Sequence, residues 1–62
     1  MTTELLKTRE AAAYLDVSTK TLERLRARSE GPAFVKIGRQ LVRYRISDLQ
    51  EYIKSQTHGG PR

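Results

Sequence analysis

Apolar residues recur with helical spacing in the first part of the chain. Ala11, Ala12 and Leu15 occupy positions that place them on one face of a helix. Thr8 is a suitable N-cap residue, and we therefore predict a short helix over residues 9–16. Because two of the three apolar side chains are alanines, another helix can approach this face closely.

A second helix follows after a short interruption. Ser18 is a good N-cap for a helix over residues 19–28, in which Leu22 and Leu25 form a narrow apolar seam and the opposite side is polar and basic. Two short helices joined by a turn of three or four residues form the helix-turn-helix outline. Asp16 stands in the turn where glycine is common, and aspartate tolerates the left-handed backbone conformation better than most residues.

The middle of the chain has the composition of a β-hairpin. Pro32 ends the second helix, because proline cannot continue it. Residues 34–37 and 41–45 are rich in β-branched and aromatic side chains, and the intervening residues 38–40 have the length and the glycine of a hairpin loop. Apolar and basic residues alternate along the second strand, which gives it one apolar face and one guanidinium face: Val42 and Tyr44 on the first, Arg43 and Arg45 on the second.

A third helix is predicted after the hairpin. Ser47 and Gln50 have the spacing of a capping box, which marks the start of this helix. We expect it to end near Gln56. Its buried stripe consists of residues at spacings i, i+3 and i+4: Leu49, Tyr52 and Ile53.

These elements describe one small domain over residues 1–56. The predicted fold is mostly α with a small β-hairpin, in the order helix, helix, hairpin, helix. Ahead of the first helix, Leu5 and Leu6 belong to an irregular apolar segment that we expect to pack on the core. The polar, glycine- and proline-rich residues 57–62 are expected to form a disordered tail.

Composition excludes several classes of protein. The 62 residues include no cysteine, so neither a disulfide nor a thiolate metal site supports the fold. No apolar run approaches the roughly 18–20 residues of a membrane span, and we expect a cytoplasmic protein that does not bind membranes. The single histidine, His58, lies in the predicted tail, where no catalytic pair or metal site can be assembled around it. We therefore predict no enzymatic activity, no metal and no cofactor.

The basic residues are concentrated in the middle of the chain. The net charge is +5, but residues 18–45 alone hold eight Lys and Arg against two Glu. Six of those eight are arginine, whose planar guanidinium group suits bidentate contacts with phosphates and bases. We interpret this segment as a binding surface for a polyanion. The alternative is a solvated surface that only promotes solubility.

The second helix and the hairpin supply the candidate DNA contacts. A helix with a basic, polar face fits the major groove of B-DNA, which is about 12 Å wide, and a basic hairpin beside it can reach phosphates or the adjacent minor groove. The candidates on the helix are Ser18, Thr19, Lys20, Glu23, Arg24 and Arg28, and those on the hairpin are Lys36, Arg39, Gln40, Arg43 and Arg45. Arg39, at the hairpin tip, has no evident internal partner.

Several of these candidates also have a purely structural interpretation. Arg43 can form an ion pair with Glu23 or with Asp48. Arg26 and Arg28 can interact favourably with the negative end of the helix dipole. Glu23 is the one acidic candidate, and in a DNA complex it could accept a hydrogen bond from a cytosine amino group.

Five segments of the chain carry a family resemblance. They are REAAAYLDVS at 9–18, TLER at 21–24, GPAFVKIGR at 31–39, VRYR at 42–45 and SDL at 47–49. Together they closely resemble the small MerR-like winged helix-turn-helix proteins, which include the excisionases (recombination directionality factors) and the AlpA-type regulators. The resemblance covers about residues 4–55. It departs from the usual pattern at Asp16, which replaces a glycine, and at Gln40-Leu41, which lengthen the hairpin tip by one residue.

The resemblance implies a winged helix-turn-helix fold and a particular way of binding DNA. The second helix would be the recognition helix and would place four residues in the major groove: Thr19, Lys20, Glu23 and Arg24. The hairpin would be the wing, with Arg39 probing the neighbouring minor groove.

The same resemblance implies an excisionase function. Excisionases of this kind bind tandem sites cooperatively and head to tail, bend the DNA, and assist a tyrosine- or serine-type integrase in excising a mobile genetic element. We would then expect the protein on the nucleoid of a prokaryotic cell. Two alternatives stay open: a small AlpA-like transcriptional regulator on the same fold, and a protein-interaction module whose basic face binds an acidic partner.

Overall fold

The computed structural model describes residues 4–57, in which three helices surround a small antiparallel sheet. The elements, in chain order, are β1 (Leu5–Leu6), α1 (Thr8–Leu15), α2 (Thr19–Ala27), β2 (Val35–Ile37), β3 (Leu41–Arg45) and α3 (Ile46–Ser55). This arrangement confirms the predicted fold class and has the form of a winged helix-turn-helix. The predicted disordered tail lies outside the described residues, apart from Thr57.

The sheet has β3 at its centre, with β1 and β2 on either side. In the hairpin, Val35 pairs with Arg43 and Ile37 with Leu41. The segment Leu5–Leu6, expected to be irregular, is instead a strand antiparallel to the end of β3. Two residues are too few to show the alternation of apolar and polar positions that identifies a strand in a sequence. Strand β1 forms because its backbone pairs with that of β3.

The core lies where the helices meet the central strand. Five side chains are at most 2% exposed, and they come from all three helices and from β3: Ala11, Ala12, Leu22, Tyr44 and Leu49. Leu6, Leu15 and Val42 pack against them. The predicted buried stripe of α3 is wrong at its last member, because Ile53 is 44% exposed. Leu49 alone anchors that helix fully in the core.

The turn between α1 and α2 forms as the sequence predicts. Asp16 adopts the left-handed conformation, with φ 62° and ψ 41°. The amide of Val17 donates to the carbonyl of Ala12 at 3.0 Å, which closes the end of α1. The Oγ of Ser18 then accepts a hydrogen bond from the amide of Thr21 at 3.0 Å, and this confirms Ser18 as the N-cap of α2.

The end of α2 is set by Ser29 rather than by Pro32, and the helix stops at Ala27, one residue before the predicted end. Ser29 has φ 57°, and its amide donates to the Arg26 carbonyl at 3.0 Å. The next amide, of Glu30, donates to the Leu25 carbonyl at 2.9 Å, which completes a Schellman motif on a non-glycine residue.

Helix α1 begins one residue earlier than predicted. Its N-cap is Lys7, whose backbone amide donates to the Glu10 carboxylate at 2.8 Å. The predicted N-cap, Thr8, is the first helical residue. Its hydroxyl accepts a hydrogen bond from Arg26 at 3.3 Å, so it connects two helices instead of capping one.

Helix α3 also starts differently from the prediction. Strand β3 runs into it without a loop, and Arg45 is both the last residue of the strand and the N-cap. The predicted capping box of Ser47 and Gln50 is therefore wrong, because Ser47 already lies inside the helix. Asp48, in the first turn, accepts a hydrogen bond from Arg45 Nε at 2.9 Å.

Ser29→Gly is expected to stabilise the protein. Glycine adopts a positive φ without the steric cost that serine bears, and part of this gain is offset by the greater freedom of glycine in the unfolded chain. We expect the free energy of unfolding to rise by about 0.5–1 kcal/mol and Tm by roughly 2–8 °C in thermal unfolding followed by circular dichroism. Ala27→Gly, an exposed change within the same helix end, should lower Tm. A Ser29→Gly variant no more stable than the parent would contradict this account of the helix end.

Candidate nucleic-acid interface

The exposed face of α2 carries three of the predicted recognition residues. Leu22 faces the core and is fully buried, so residues about half a helical turn away from it point outward. Lys20, Glu23 and Arg24 are all exposed. Within residues 4–57 none of these three side chains forms an ion pair or a side-chain hydrogen bond. The structure therefore brings them together on one accessible surface.

The first turn of α2 holds the other two predicted residues near the helix start. Ser18 is exposed, but its hydroxyl donates to Thr21 Oγ1 at 2.8 Å while it accepts from the Thr21 amide. A phosphate can take this hydroxyl proton only if the bond to Thr21 Oγ1 breaks. Thr19 is half-buried, so its access to a base edge is restricted.

The β2–β3 hairpin, residues 35–45, is the wing of this fold. Its loop begins at Gly38, whose φ of 64° is one that glycine adopts readily. Three predicted contact residues lie exposed at or near the loop: Lys36, Arg39 and Gln40. In the described part of the chain, neither Lys36 nor Arg39 has an acidic partner. Both side chains are thus available to an external anion.

The remaining predicted arginines have partners inside the protein. Arg43 is half-buried, and its guanidinium donates to the Val42 carbonyl at 2.8 Å, so neither of the expected acidic partners is used. Asp48 instead pairs with Arg45 at 2.9 Å. Arg28 lies 3.8 Å from Glu30 across a pair of well-exposed side chains. Surface ion pairs of this kind contribute about 0–1 kcal/mol, so they give way easily to a phosphate.

Arg26 has a position that the sequence did not indicate. Its side chain is half-buried, and Nη1 donates to the hydroxyl of Tyr44 at 3.1 Å and to Thr8 Oγ1 at 3.3 Å. The guanidinium carbon lies 5.9 Å from the centre of the Phe34 ring. Tyr44 lies on the predicted apolar face of the second strand, and a tyrosine hydroxyl that becomes buried requires a hydrogen-bonding group, which is the one sequence signal for such a partner.

Exposed apolar residues form two further surfaces. On the wing, Ile37 and Leu41 are a cross-strand pair that is 41% and 51% exposed. They share a sheet face with Arg43, because residues 41 and 43 are two apart on one strand. The predicted guanidinium face of the hairpin is therefore partly apolar. A second surface is an open groove between the helices, lined mainly by apolar side chains: Leu15, Val17, Leu25, Tyr52 and Ile53.

Two other kinds of site were sought in residues 4–57. No three His, Cys, Asp or Glu side chains come together there as a metal-binding group. None of the helices in that range is long and apolar enough to cross a membrane.

The fold and its exposed cations define a helix-turn-helix DNA-binding domain. In this class the second helix enters the major groove of double-stranded DNA. The sequence matches the family model of the helix-turn-helix domain over residues 5–57, and the chain belongs to this family. No curated protein matches the chain significantly.

Arg39→Gln is expected to weaken the salt dependence of DNA binding. Removal of one phosphate contact reduces the slope of log K against log salt by about 0.9 on B-DNA. The measurement is the affinity for a random-sequence duplex of about 30 base pairs at several salt concentrations, followed by fluorescence anisotropy. Arg9→Gln is the matched control, because Arg9 is exposed on α1 and the change in net charge is the same. Equal slopes for the two variants would exclude Arg39 from the interface.

Proposed function

We propose that this protein is an excisionase, a sequence-specific architectural DNA-binding protein. It would bind tandem sites cooperatively, bend the DNA and assist a tyrosine- or serine-type integrase in excising a mobile genetic element. The observation that carries the proposal is the pair of basic surfaces on α2 and on the wing, where four exposed cations lack an ion-pair partner among the described residues: Lys20, Arg24, Lys36 and Arg39. Such a protein acts on chromosomal DNA, which places it on the prokaryotic nucleoid.

Helix α2 is the proposed recognition helix. Lys20 and Arg24 are exposed one helical turn apart, which suits contacts along one groove. Arg24 can donate to the O6 and N7 of a guanine, and Glu23 can accept from a cytosine amino group, each discriminating by about 1–3 kcal/mol. Thr19 supplies a further contact at the start of the helix, and Ser18 a phosphate contact. Arg28, at the other end, is proposed to bind a phosphate in place of Glu30.

The wing is proposed to hold the neighbouring backbone and minor groove. Arg39 at its tip enters the minor groove, where arginine is favoured by the negative potential. Lys36 and Gln40 contact the flanking sugar and phosphate groups. Arg43 and Arg45 are proposed phosphate ligands as well, and Arg45 would exchange a surface ion pair for a phosphate.

Head-to-tail association on tandem sites is part of the same proposal. A heterologous contact requires two different surfaces on each protomer. The apolar pair on the wing, Ile37 and Leu41, and the apolar groove between the helices supply two such surfaces. Their exposure supports a wing of one protomer packing against the groove of the next.

The excisionase proposal predicts cooperative binding and bending on tandem sites. A preferred site is first selected from a random duplex library, and probes with one, two and three copies are then compared by gel shift and circular permutation. We expect discrete complexes that form cooperatively, with a bend that grows with the number of sites. A single non-cooperative complex on straight DNA would contradict the proposal and favour the AlpA-like transcriptional regulator. Absence of any preferred sequence would favour the protein-interaction module.

Leu41→Thr is expected to reduce cooperativity without weakening binding to a single site. The change removes apolar area from the proposed protomer contact, and we expect the cooperativity factor to fall about fivefold, which corresponds to about 1 kcal/mol. The measurement is the same gel shift on one-site and two-site probes. Leu5→Thr is the control, since Leu5 is 41% exposed on β1 and pairs with Arg45, at the other end of β3 from Leu41. An equal loss on the one-site probe would place Leu41 in the DNA contact instead.

A further inference from the structure

The two elements proposed to contact DNA share one core cluster but pack chiefly on different neighbours. Helix α2 packs mainly on α1, whereas β3, the inner strand of the wing, packs on β2, β1, α1 and α3. The orientation of the wing relative to the recognition helix therefore depends on α1, on the shared core and on any side chain that connects α2 directly to β3. An error of a few degrees in that orientation displaces the wing tip from the groove it must enter.

Arg26 makes the connection. It lies in the last turn of α2, and its guanidinium reaches the buried hydroxyl of Tyr44 on β3 at 3.1 Å. The same nitrogen donates to Thr8 in the first turn of α1 at 3.3 Å. Three elements thus meet at one side chain.

Aromatic contacts connect Arg26 and Tyr44 to the other strand of the wing as well. Phe34 directly precedes β2, and its ring centre lies 5.9 Å from the Arg26 guanidinium and 6.1 Å from the Tyr44 ring centre. At these distances the cation–π and tilted-ring contacts are both favourable. Both strands of the wing are therefore connected to α2 through Arg26.

We propose that Arg26 is a positioning residue that sets the orientation of the wing relative to α2. It allows the recognition helix and Arg39 to engage one DNA duplex at the same time. This inference rests on the two-element DNA contact proposed above. It differs from a phosphate contact, because Arg26 is half-buried and its Nη1 donates to Tyr44 and Thr8.

The test is a double-mutant cycle between Arg26 and the wing tip. In the otherwise unchanged protein, Arg39→Gln should weaken binding to the selected site by about tenfold. In an Arg26→Met background Arg39→Gln should weaken binding to the same site by less than about twofold, because the wing no longer reaches its groove. Ala13→Gly is the control for reduced stability, since Ala13 is exposed within α1 and outside every proposed contact, and the full cost of Arg39→Gln should persist there.

Two outcomes of the cycle would overturn the proposal. If Arg26→Met makes the salt slope about 0.9 less steep and leaves the cost of Arg39→Gln unchanged, Arg26 binds a phosphate directly. If Arg26→Met changes neither the loss of affinity caused by Arg39→Gln nor the salt slope, Arg26 has no part in positioning the wing. Tyr44→Phe removes only the hydroxyl and provides the same cycle if Arg26→Met does not fold. Like Arg26→Met, Tyr44→Phe should reduce the loss of DNA affinity caused by Arg39→Gln.

A second measurement needs no DNA and separates this proposal from the proposed function. Residual dipolar couplings of the amides in α2 and in the wing report their relative orientation in solution. We expect Tyr44→Phe or Arg26→Met to change the couplings of the wing relative to those of α2, and Ala13→Gly to leave the relative orientation of the two elements unchanged. Unchanged couplings in both Arg26→Met and Tyr44→Phe would overturn the positioning role. Failure of the parent protein to bind any duplex would overturn the proposed function and leave this result standing.

Discussion

Burial of Tyr44 is the constraint on which the rest of the structure depends. Its side chain is fully buried, among core residues from all three helices, and its backbone pairs with Leu6 of β1. A buried phenol needs a hydrogen-bonding partner, since an unsatisfied hydroxyl costs about 1–3 kcal/mol. Arg26 supplies that partner from the far end of α2. The requirement of one core hydroxyl therefore connects α2, the proposed recognition helix, to the central strand of the sheet.

The arginines of the basic segment perform different tasks despite their common charge. Arg26 donates to the buried hydroxyl of Tyr44, and Arg43 in the unbound protein donates to the backbone carbonyl of Val42. Arg24 and Arg39 project into solvent with no partner in residues 4–57. All of them contribute to the positive potential that attracts a polyanion. A count of basic residues thus predicts the sign of the partner's charge but not which residues contact the partner.

Local chemistry determined which features could be predicted from the sequence. Asp16 and Ser18 form the turn and the cap that their own side chains favour, and both agree with the prediction. The capping box at Ser47 was wrong because β3 continues directly into α3, so that the strand rather than the cap decides where the helix begins. The strand Leu5–Leu6 was missed for the same reason, since a pairing across the sheet creates it. The hydrogen bonds of Arg26 join residues 18 positions apart, and no local pattern encodes such a distance.

The small core gives the charged surface an influence on stability that it would not have in a larger domain. A chain of this length buries only about 60% of the surface exposed on unfolding, so its stability is marginal. Cations gathered on α2 and the wing repel one another in the unbound protein, and this repulsion opposes folding. In the proposed complex DNA neutralises these charges, and a ligand that binds only the folded state stabilises the fold by mass action. The arrangement that makes Lys20, Arg24 and Arg39 available to DNA therefore links the stability of the domain to its ligand.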